Sequence, residues 1–583
     1  MTMRKKLNVL FVNFPTFPFD MLEDYLAGKS TMSAQIHGEP LGILHLSSYL
    51  KKYGQVQNVA ILDFVTTLLK TKRFKNIHDF ISTTTEKTVK FTPDIIACSI
   101  NFTPSHPFMI KCIEHFKSKW KKSIVIVGGN HATNGTTRLL QVDTVDYVAR
   151  GEAEVAFTDF ANQIAQNKKV SVKGIYSKKD LPNREKDGVI PRWIIGDGTI
   201  PDKNSDHILD LCKGMENMDE LPYPDWGLLD METYSTEIGR ALYIGAAVDK
   251  KKASLFTSRG CPFRCTFCAT FTTFTRLLKY HSPQYIVGQI NYLNKKYGIT
   301  TFIIEDDLFT GNKEKVIEML SAFKNLKIPN FQLQFPNALS INTLNKTVVD
   351  ALIDTGMKDT ELAVESGSSY VQKNIIHKNV NLDMVKHWVD YLKSRNVVVR
   401  LLFILGFPNE TKEQMRETIN FAKSTGADWC IFNIAIPLIG TEMYEEFLMK
   451  GVIKEDLDWL AKTDFSRRTF DTNEISAQEL NDLEYGANLD VNFLNNPNLI
   501  AKNYKIALQL YDSVLVKHPW HIIALYCKKM CYEGLGEFDE AEKVMQKIET
   551  ILETDLLAQD MYRKYSDLMP DLYLNKQKMK IPK

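Results

Sequence analysis

Over the first two hundred residues, short apolar runs alternate with stretches of helical periodicity. The runs are Leu7–Val12, Val59–Phe64, Ile95–Ile100, Ile124–Val127 and Val145–Val148, with helical stretches at Pro40–Lys52 and Pro107–Lys119 among them. Apolar runs without polar alternation, separated by helices, predict a parallel sheet covered on both faces. That is an α/β, doubly wound domain, assigned to residues 1–175, and such sheets bind ligands beyond the carboxyl ends of their strands. The expected strand ends carry small and polar residues. Ser99, Asn101 and Thr103 follow the third run, Gly128, Gly129 and His131 the fourth, and Gly151 and Glu152 the fifth. Residues 176–250 are rich in Asp, Lys, Gly and Pro and form a bridging segment.

From Ser254 the strand–helix rhythm restarts. Ser254–Thr257, Thr301–Ile304, Phe331–Phe335, Glu361–Val364, Val397–Leu402 and Cys430–Ile434 are the expected strands. Helical segments follow the first five: Pro283–Lys296, Lys313–Asn325, Thr343–Thr355, Leu382–Arg395 and Lys412–Ser424. Six such units predict a partial (β/α)6 barrel over residues 251–455, with its chemistry at the strand carboxyl ends. Past Asp471 the pattern is helical only. Tyr504, Ala507 and Leu510 recur as Phe538, Ala541 and Val544 at a spacing of thirty-four residues. This spacing resembles tetratricopeptide helices. One repeat and a fragment cannot stand alone, so the all-α region 456–583 is expected to pack on the barrel. Cys527 and Cys531 lie one helical turn apart, a spacing open to a second cluster or to plain packing.

Composition narrows the class. At 583 residues the chain exceeds one core, and two to four domains are expected. A net charge of +2 gives no reason to expect a nucleic-acid partner or an anionic membrane. No apolar run approaches bilayer length, and the first apolar run is broken by Asn13 and Pro15, which argues for a strand and against a signal peptide. Nine cysteines are too few for a disulfide scaffold and point to a reducing, cytoplasmic setting.

Three of those cysteines form Cys261-Pro-Phe-Arg-Cys265-Thr-Phe-Cys268, just after the first barrel strand. This loop can point three sulfurs at one centre, and Cys thiolates hold iron–sulfur clusters. Three ligands on a four-iron cube leave one iron open to a small molecule. Gly260 and Pro262 allow the tight turn, and Arg259 and Arg264 are expected to offset the thiolate charge. Zinc would need a fourth ligand, and the nearest histidine, His281, stands without a partner close in sequence. A disulfide and simple core packing are the other readings of the loop.

Cys-x3-Cys-x2-Cys with Phe267 before the last cysteine resembles the signature of the radical S-adenosylmethionine superfamily. The resemblance implies a 4Fe-4S cluster on Cys261, Cys265 and Cys268, whose open iron chelates S-adenosylmethionine. It further implies S-adenosylmethionine contacts at Phe267, at Glu305 and Asp306 (amino group), at Glu365 and Ser366, at Arg400 (methionyl carboxylate) and at Gly406. The acidic stretch Glu305–Asp307 has a second reading as the N-terminal cluster of the following helix, and Arg400 one as a solvated strand residue. The order Pro40-Leu-Gly42, Ser/Thr strand end, Gly-Gly-x-His-Ala, Gly-Glu-x-Glu resembles the Rossmann-like cobalamin-binding domain that precedes many such barrels. It implies corrinoid contacts at Gly42, Ser99, Asn101, Thr103, Gly128, Gly129, His131, Gly151 and Glu152. Asp63-Phe-Val-Thr departs from the Asp-x-His-x-x-Gly of many cobalamin domains, so base-off cobalamin without a protein histidine ligand is expected. The combined resemblance is to cobalamin-dependent methyltransferases, which use one S-adenosylmethionine as methyl source and a second as source of the 5′-deoxyadenosyl radical. It implies methylation of an unactivated carbon on a small-molecule or peptide substrate, with a flavodoxin or ferredoxin as reductant. Alternatives are a non-methylating rearrangement, cyclisation or oxidation with the same cofactors, and a helical-repeat binding protein with an inert barrel.

Overall fold

The computed structural model describes residues 5–16, 18–28, 38–71, 73–180, 210–238, 251–454, 467–570 and 572. Much of the expected bridging segment, 181–209 and 239–250, lies outside the described residues. The amino-terminal sheet comprises β1 (Leu7–Asn13), β2 (Val56–Asp63), β3 (Ile95–Ser99), β4 (Ile124–Gly128), β5 (Tyr147–Ala149) and β6 (Ile175–Ser177). Its order is β2-β1-β3-β4-β5-β6, with the first five strands parallel. The antiparallel edge strand β6 was not legible in the sequence, because three residues carry no periodicity. The sheet is buried on both faces. Leu10, Val12, Ile96 and Val125 face one apolar cluster, and Val9, Phe11, Ile95 and Ile126 the other. Strand order reverses between β1 and β3, where doubly wound sheets open a ligand crevice.

The second unit holds two parallel arcs. One is β7 (Lys252–Leu255), β10 (Thr301–Ile304) and β11 (Gln332–Gln334), in the order β11-β10-β7. The other runs β12-β13-β14-β15, from Leu339–Ser340 through Asp359–Glu365 and Val398–Leu405 to Trp429–Ile434. A single bridge, Leu333 to Met357, joins the arcs. The short antiparallel pair β8 (Ser258–Arg259) and β9 (Lys279–Tyr280) brackets the cysteine loop. Helix starts follow capping chemistry: Ser282, Asn312, Asn345, Asn381 and Thr411 each accept a backbone N–H of their own first turn. Asn345 therefore starts its helix at Lys346, three residues later than the periodicity predicts.

Helix Leu41–Tyr53 belongs to both units. Leu41 and Leu44 join the barrel core with Trp226, Ile286 and Ile290, while Ile43 and Leu50 pack under the first sheet. Asp225 accepts from the Ser47 hydroxyl at 2.7 Å and pairs with Lys51. The carboxyl-terminal region is helical: Ala477–Leu489, Tyr504–Lys517, Ile522–Leu535, Phe538–Thr554 and Leu556–Tyr565 are its principal helices. It covers the open edge of β15. The Asn492 amide donates to Cys430 O at 2.6 Å and its carbonyl accepts Cys430 N–H at 2.7 Å, as a neighbouring strand would. Cys527 and Cys531 are buried in the apolar cluster of this region.

Candidate active site

The cysteine loop is held at both ends. Gly260 has φ +93°, and a Cβ there would lie 2.2 Å from Leu277 O, so the turn into Cys261 requires glycine. Thr266 donates its N–H to Ile376 O at 3.2 Å and its hydroxyl to Ile375 O at 2.9 Å, and Met443 N–H reaches Thr266 O. Burial raises all three thiols, Cys261 to about 11 and Cys265 to about 12, while the Lys378 ammonium pulls each of them down. No three His, Cys, Asp or Glu side chains among the described residues close on a single metal ion. Three thiols on one loop, each within electrostatic reach of another, fit a multi-iron cluster.

The cation that acts on all three thiols is Lys378, not Arg259. Lys378 Nζ lies 2.7 Å from Glu365 Oε1, and both side chains are buried. Arg259 is spent on the first domain: its two terminal nitrogens pair with Glu152 at 3.0 Å and Glu154 at 2.8 Å, and Lys279 adds a second bond to Glu152 at 2.9 Å. The expectation that Arg259 offsets the thiolates is thus corrected, because two carboxylates from the β5 end already neutralise it.

One cavity of about 860 Å³ lies between the units. Gly42, Ser99, Asn101, Thr103, Gly128, Gly129, His131, Gly151 and Glu152 all line it, together with Phe267, Cys268 and Glu305. Gly129 has φ +102°, and a Cβ there would meet Ile100 O at 2.4 Å. Both ring nitrogens of His131 are engaged, Nδ1 with Thr103 Oγ1 at 3.0 Å and Nε2 with His106 Nδ1 at 3.2 Å. Where a cobalt-ligating histidine would follow Asp63, this chain has Val65, which lines the cavity with Leu68. Asp63 instead accepts from the Tyr234 hydroxyl at 2.9 Å and from the Asn13 amide at 3.0 Å.

The barrel carboxylates divide. Glu305 faces the cavity, accepts from Ser254 Oγ at 3.0 Å, and is raised to about 7 by burial and by Glu39 nearby. Asp307 also lines the cavity, accepts from Thr270 Oγ1 at 3.0 Å and is raised by burial to about 6. Asp306 points away: it accepts from Thr257 N–H at 2.7 Å and Ser258 Oγ at 2.6 Å, tying the turn after β7. The ligand contact expected of Asp306 is therefore corrected to a turn-holding role. None of the three caps the next helix, since Asn312 does so.

Arg400 is also corrected. It sits near the amino-terminal ends of the strands, 2 % exposed, and pairs with Asp359 at 2.8 Å and Glu361 at 3.0 Å. Ser366 is fully buried against Thr418 Oγ1 at 3.0 Å and accepts Ser368 N–H, away from the cavity lining. Gly406, with φ +82°, ends β14. Its N–H and that of Phe407 donate to Glu410, and its carbonyl accepts from Arg468. Glu39, Lys378 and Arg468 received no role from sequence, and Asp307 was read only as part of the acidic stretch Glu305–Asp307. Only Asp307 carried a local signal, as the third acidic residue of its strand end.

Residues 255–422 match the Radical SAM superfamily and residues 32–161 the B12 binding domain. The chain belongs to the cobalamin-dependent radical S-adenosylmethionine enzymes. It is 26% identical over 434 residues to cytidylyl-2-hydroxyethylphosphonate methyltransferase of Streptomyces wedmorensis, covering 71% of this chain and 78% of that one. It is 23% identical over 427 residues to the anaerobic magnesium-protoporphyrin IX monomethyl ester cyclase of Rubrivivax gelatinosus, covering 71% and 67%. Its fold is similar to that of the radical S-adenosylmethionine methyltransferase TsrM of Kitasatospora setae, solved with cobalamin and a [4Fe-4S] cluster. The TM-score is 0.54 at 14% identity, covering 77% of this chain and 79% of that one. As a cobalamin-dependent radical S-adenosylmethionine enzyme, the protein uses a [4Fe-4S] cluster, S-adenosylmethionine and cobalamin. Among the described residues no helix is long and apolar enough to cross a membrane.

Proposed function

We propose that the protein transfers a methyl group to an unactivated carbon of a small-molecule or peptide substrate. One observation carries the reading: the strand ends of the B12-binding domain and the last cysteine of the radical S-adenosylmethionine loop line the same cavity. When bound, cluster and corrinoid supply a carbon-centred radical and a transferable methyl group. The chain's own residues bind and orient. Cys261, Cys265 and Cys268 hold the cluster, and Gly128, Gly129 and Gly151 leave the backbone open for close approach of the corrin. Glu305 receives an ammonium group, whose charge would draw its carboxyl below about 7. Val65 and Leu68 would offer cobalamin an apolar wall, with no histidine at the position after Asp63 where many cobalamin domains carry a metal ligand. The similarity to a methyltransferase over most of both chains supports methyl transfer.

The similarity to the cyclase favours a second reading, oxidative ring closure with the same cofactors. One assay separates the two. Anaerobically loaded enzyme is given S-adenosylmethionine with a deuterated methyl group, and products are read by mass. Methyl transfer yields deoxyadenosine, S-adenosylhomocysteine and a product heavier by the labelled methyl. Deoxyadenosine with a product that has only lost hydrogen overturns methylation in favour of cyclisation. A Cys265→Ala variant is expected to lose cluster absorbance and deoxyadenosine together, and retained cleavage overturns the ligand assignment.

A further inference from the structure

Glu365 (φ +70°), His377 (φ +53°) and Asn379 (φ +55°) all hold a left-handed backbone. Histidine and asparagine tolerate that region better than most side chains; glutamate does not. Glu365 also ends β13 at an irregularity, where the register with β14 slips between Ala363 and Glu365. Such outliers persist only where the surroundings over-determine them. Here they bracket one ion pair. Lys378 stands between His377 and Asn379, and its ammonium meets Glu365 at 2.7 Å with both side chains buried.

One buried glutamine fixes both partners. Gln372, 2% exposed on the short helix Ser369–Asn374, donates its amide to the carbonyls of Val364 and Ser366, each at 2.7 Å, on either side of Glu365. Its amide oxygen accepts Val380 N–H at 3.1 Å, and its backbone carbonyl accepts Asn379 N–H at 3.3 Å, just past Lys378. Asn342 donates to the Lys378 carbonyl at 2.9 Å. The same segment is bonded to the cysteine loop, since the carbonyls of Ile375 and Ile376 accept both donors of Thr266. The ion pair is thus locked to the loop. Lys378 acts on all three thiols, and Glu365 opposes it at Cys265. Neither side chain lines the cavity between the units, whereas Cys268 and Asp307 do. A cation placed this firmly beside the sulfurs, and away from the cavity, is suited to act on what the sulfurs hold. Net charge close to an iron–sulfur cluster is one of the quantities that set its potential.

We propose that Lys378 sets the reduction potential of the cluster held by Cys261, Cys265 and Cys268, with Glu365 limiting its effect and Gln372 fixing the pair. Lys378 is a positioning residue that works through the cluster. On reduction the cluster gains one electron, supplied in the test by a low-potential mediator dye, and no bond in the chain forms or breaks. The buried ammonium stabilises the reduced, more negative cluster, so its removal makes the cluster harder to reduce. The inference rests on the cluster assignment and is independent of what the enzyme methylates.

The test is a potentiometric titration of cluster-loaded full-length protein without substrate, with the reduced cluster read by electron paramagnetic resonance. For K378Q the ratio of reduced to oxidised cluster at a fixed potential is expected to fall about tenfold, a shift of about 59 mV to lower potential for one electron. E365Q is expected to move the ratio the opposite way, and K378R to stay near wild type. Opposite signs separate charge from damage, because opening the site to water moves both variants in the same direction. Both shifts are expected with and without S-adenosylmethionine. Unshifted potentials, shifts of equal sign, or a K378Q effect confined to the S-adenosylmethionine complex overturn the proposal, the last by making Lys378 a ligand contact. If K378Q assembles no cluster, E365Q decides alone, and no rise in its potential overturns the proposal. Absence of iron–sulfur absorbance in the wild type overturns the cluster assignment and this proposal with it, whereas failure of methyl transfer touches neither.

Discussion

Two residues show how little freedom the cavity wall has. At Gly129 the positive φ and the 2.4 Å approach of Ile100 O leave no room for a Cβ. Gly129→Ala must shift backbone that faces the corrinoid. Cobalamin affinity, measured by absorbance titration, is expected to fall at least tenfold while the fold persists. Arg259 illustrates charge in place of space. It bridges Glu152 and Glu154 with all three side chains nearly inaccessible. Removing one partner of a buried ion pair costs about 3–5 kcal/mol; here Glu154 would stay buried without its cation, while Glu152 keeps Lys279. Arg259→Met is expected to lower apo-protein stability by that order in chemical denaturation. Adding Glu152→Gln and Glu154→Gln should restore much of it, and failure to restore would show that Arg259 acts through packing alone.

At the scale of elements, the end of β14 is built by partners from far along the chain. Glu410 accepts the N–H groups of Gly406 at 2.6 Å and Phe407 at 3.0 Å, and burial raises its carboxyl to about 8. Arg468, reaching in from beyond the barrel, donates to the carbonyls of Gly406 and Ala435, beyond the last paired residues of β14 and β15. It lies over the rings of Phe447 and Phe470, 5.3 and 5.0 Å from their centroids. A carboxyl with a raised folded-state pKa favours folding fully below its unfolded value. That contribution is lost as pH rises through about 8. The loss is on the order of a few kcal/mol, and it is complete above that pH. Glu410→Gln keeps an acceptor for the two N–H groups but cannot ionise. Its denaturation free energy is expected to be flatter than wild type between pH 5 and 8.5, and parallel profiles would show that Glu410 ionises without cost.

The whole molecule is a pair of α/β units sharing one helix and one cavity, with a helical region sealing the edge of β15. Trp226 sits at the seam, 1% exposed, in the core that includes Leu41 and Leu44 of the shared helix. Trp226→Ala should cost about 3–5 kcal/mol through the cavity it leaves. Because the seam couples the units, the calorimetric trace is expected to split into two transitions; a single, merely lowered transition would place Trp226 in the barrel alone.

Local order along the chain was enough for the two βα rhythms, the helical end and the three-cysteine loop. Strand and helix periods, capping residues and short ligand spacings are all decided by neighbours in sequence. The strands that set the site, such as β10 at Thr301–Ile304, were legible for that reason, as were the glycine-rich ends that line the cavity. Charge partnership was not legible. Arg259, Arg400 and Arg468 are long side chains whose partners lie far off in sequence, Lys378 pairs with Glu365 on the other side of a short helix, and burial makes each choice exclusive. Only the packed structure could spend Arg259 on Glu152 and Glu154, set Lys378 beside the thiols, turn Asp306 away from the cavity and place Arg400 at the opposite ends of the strands. A buried charge takes whichever opposite charge the fold brings within reach, and that proximity is a property of the tertiary structure.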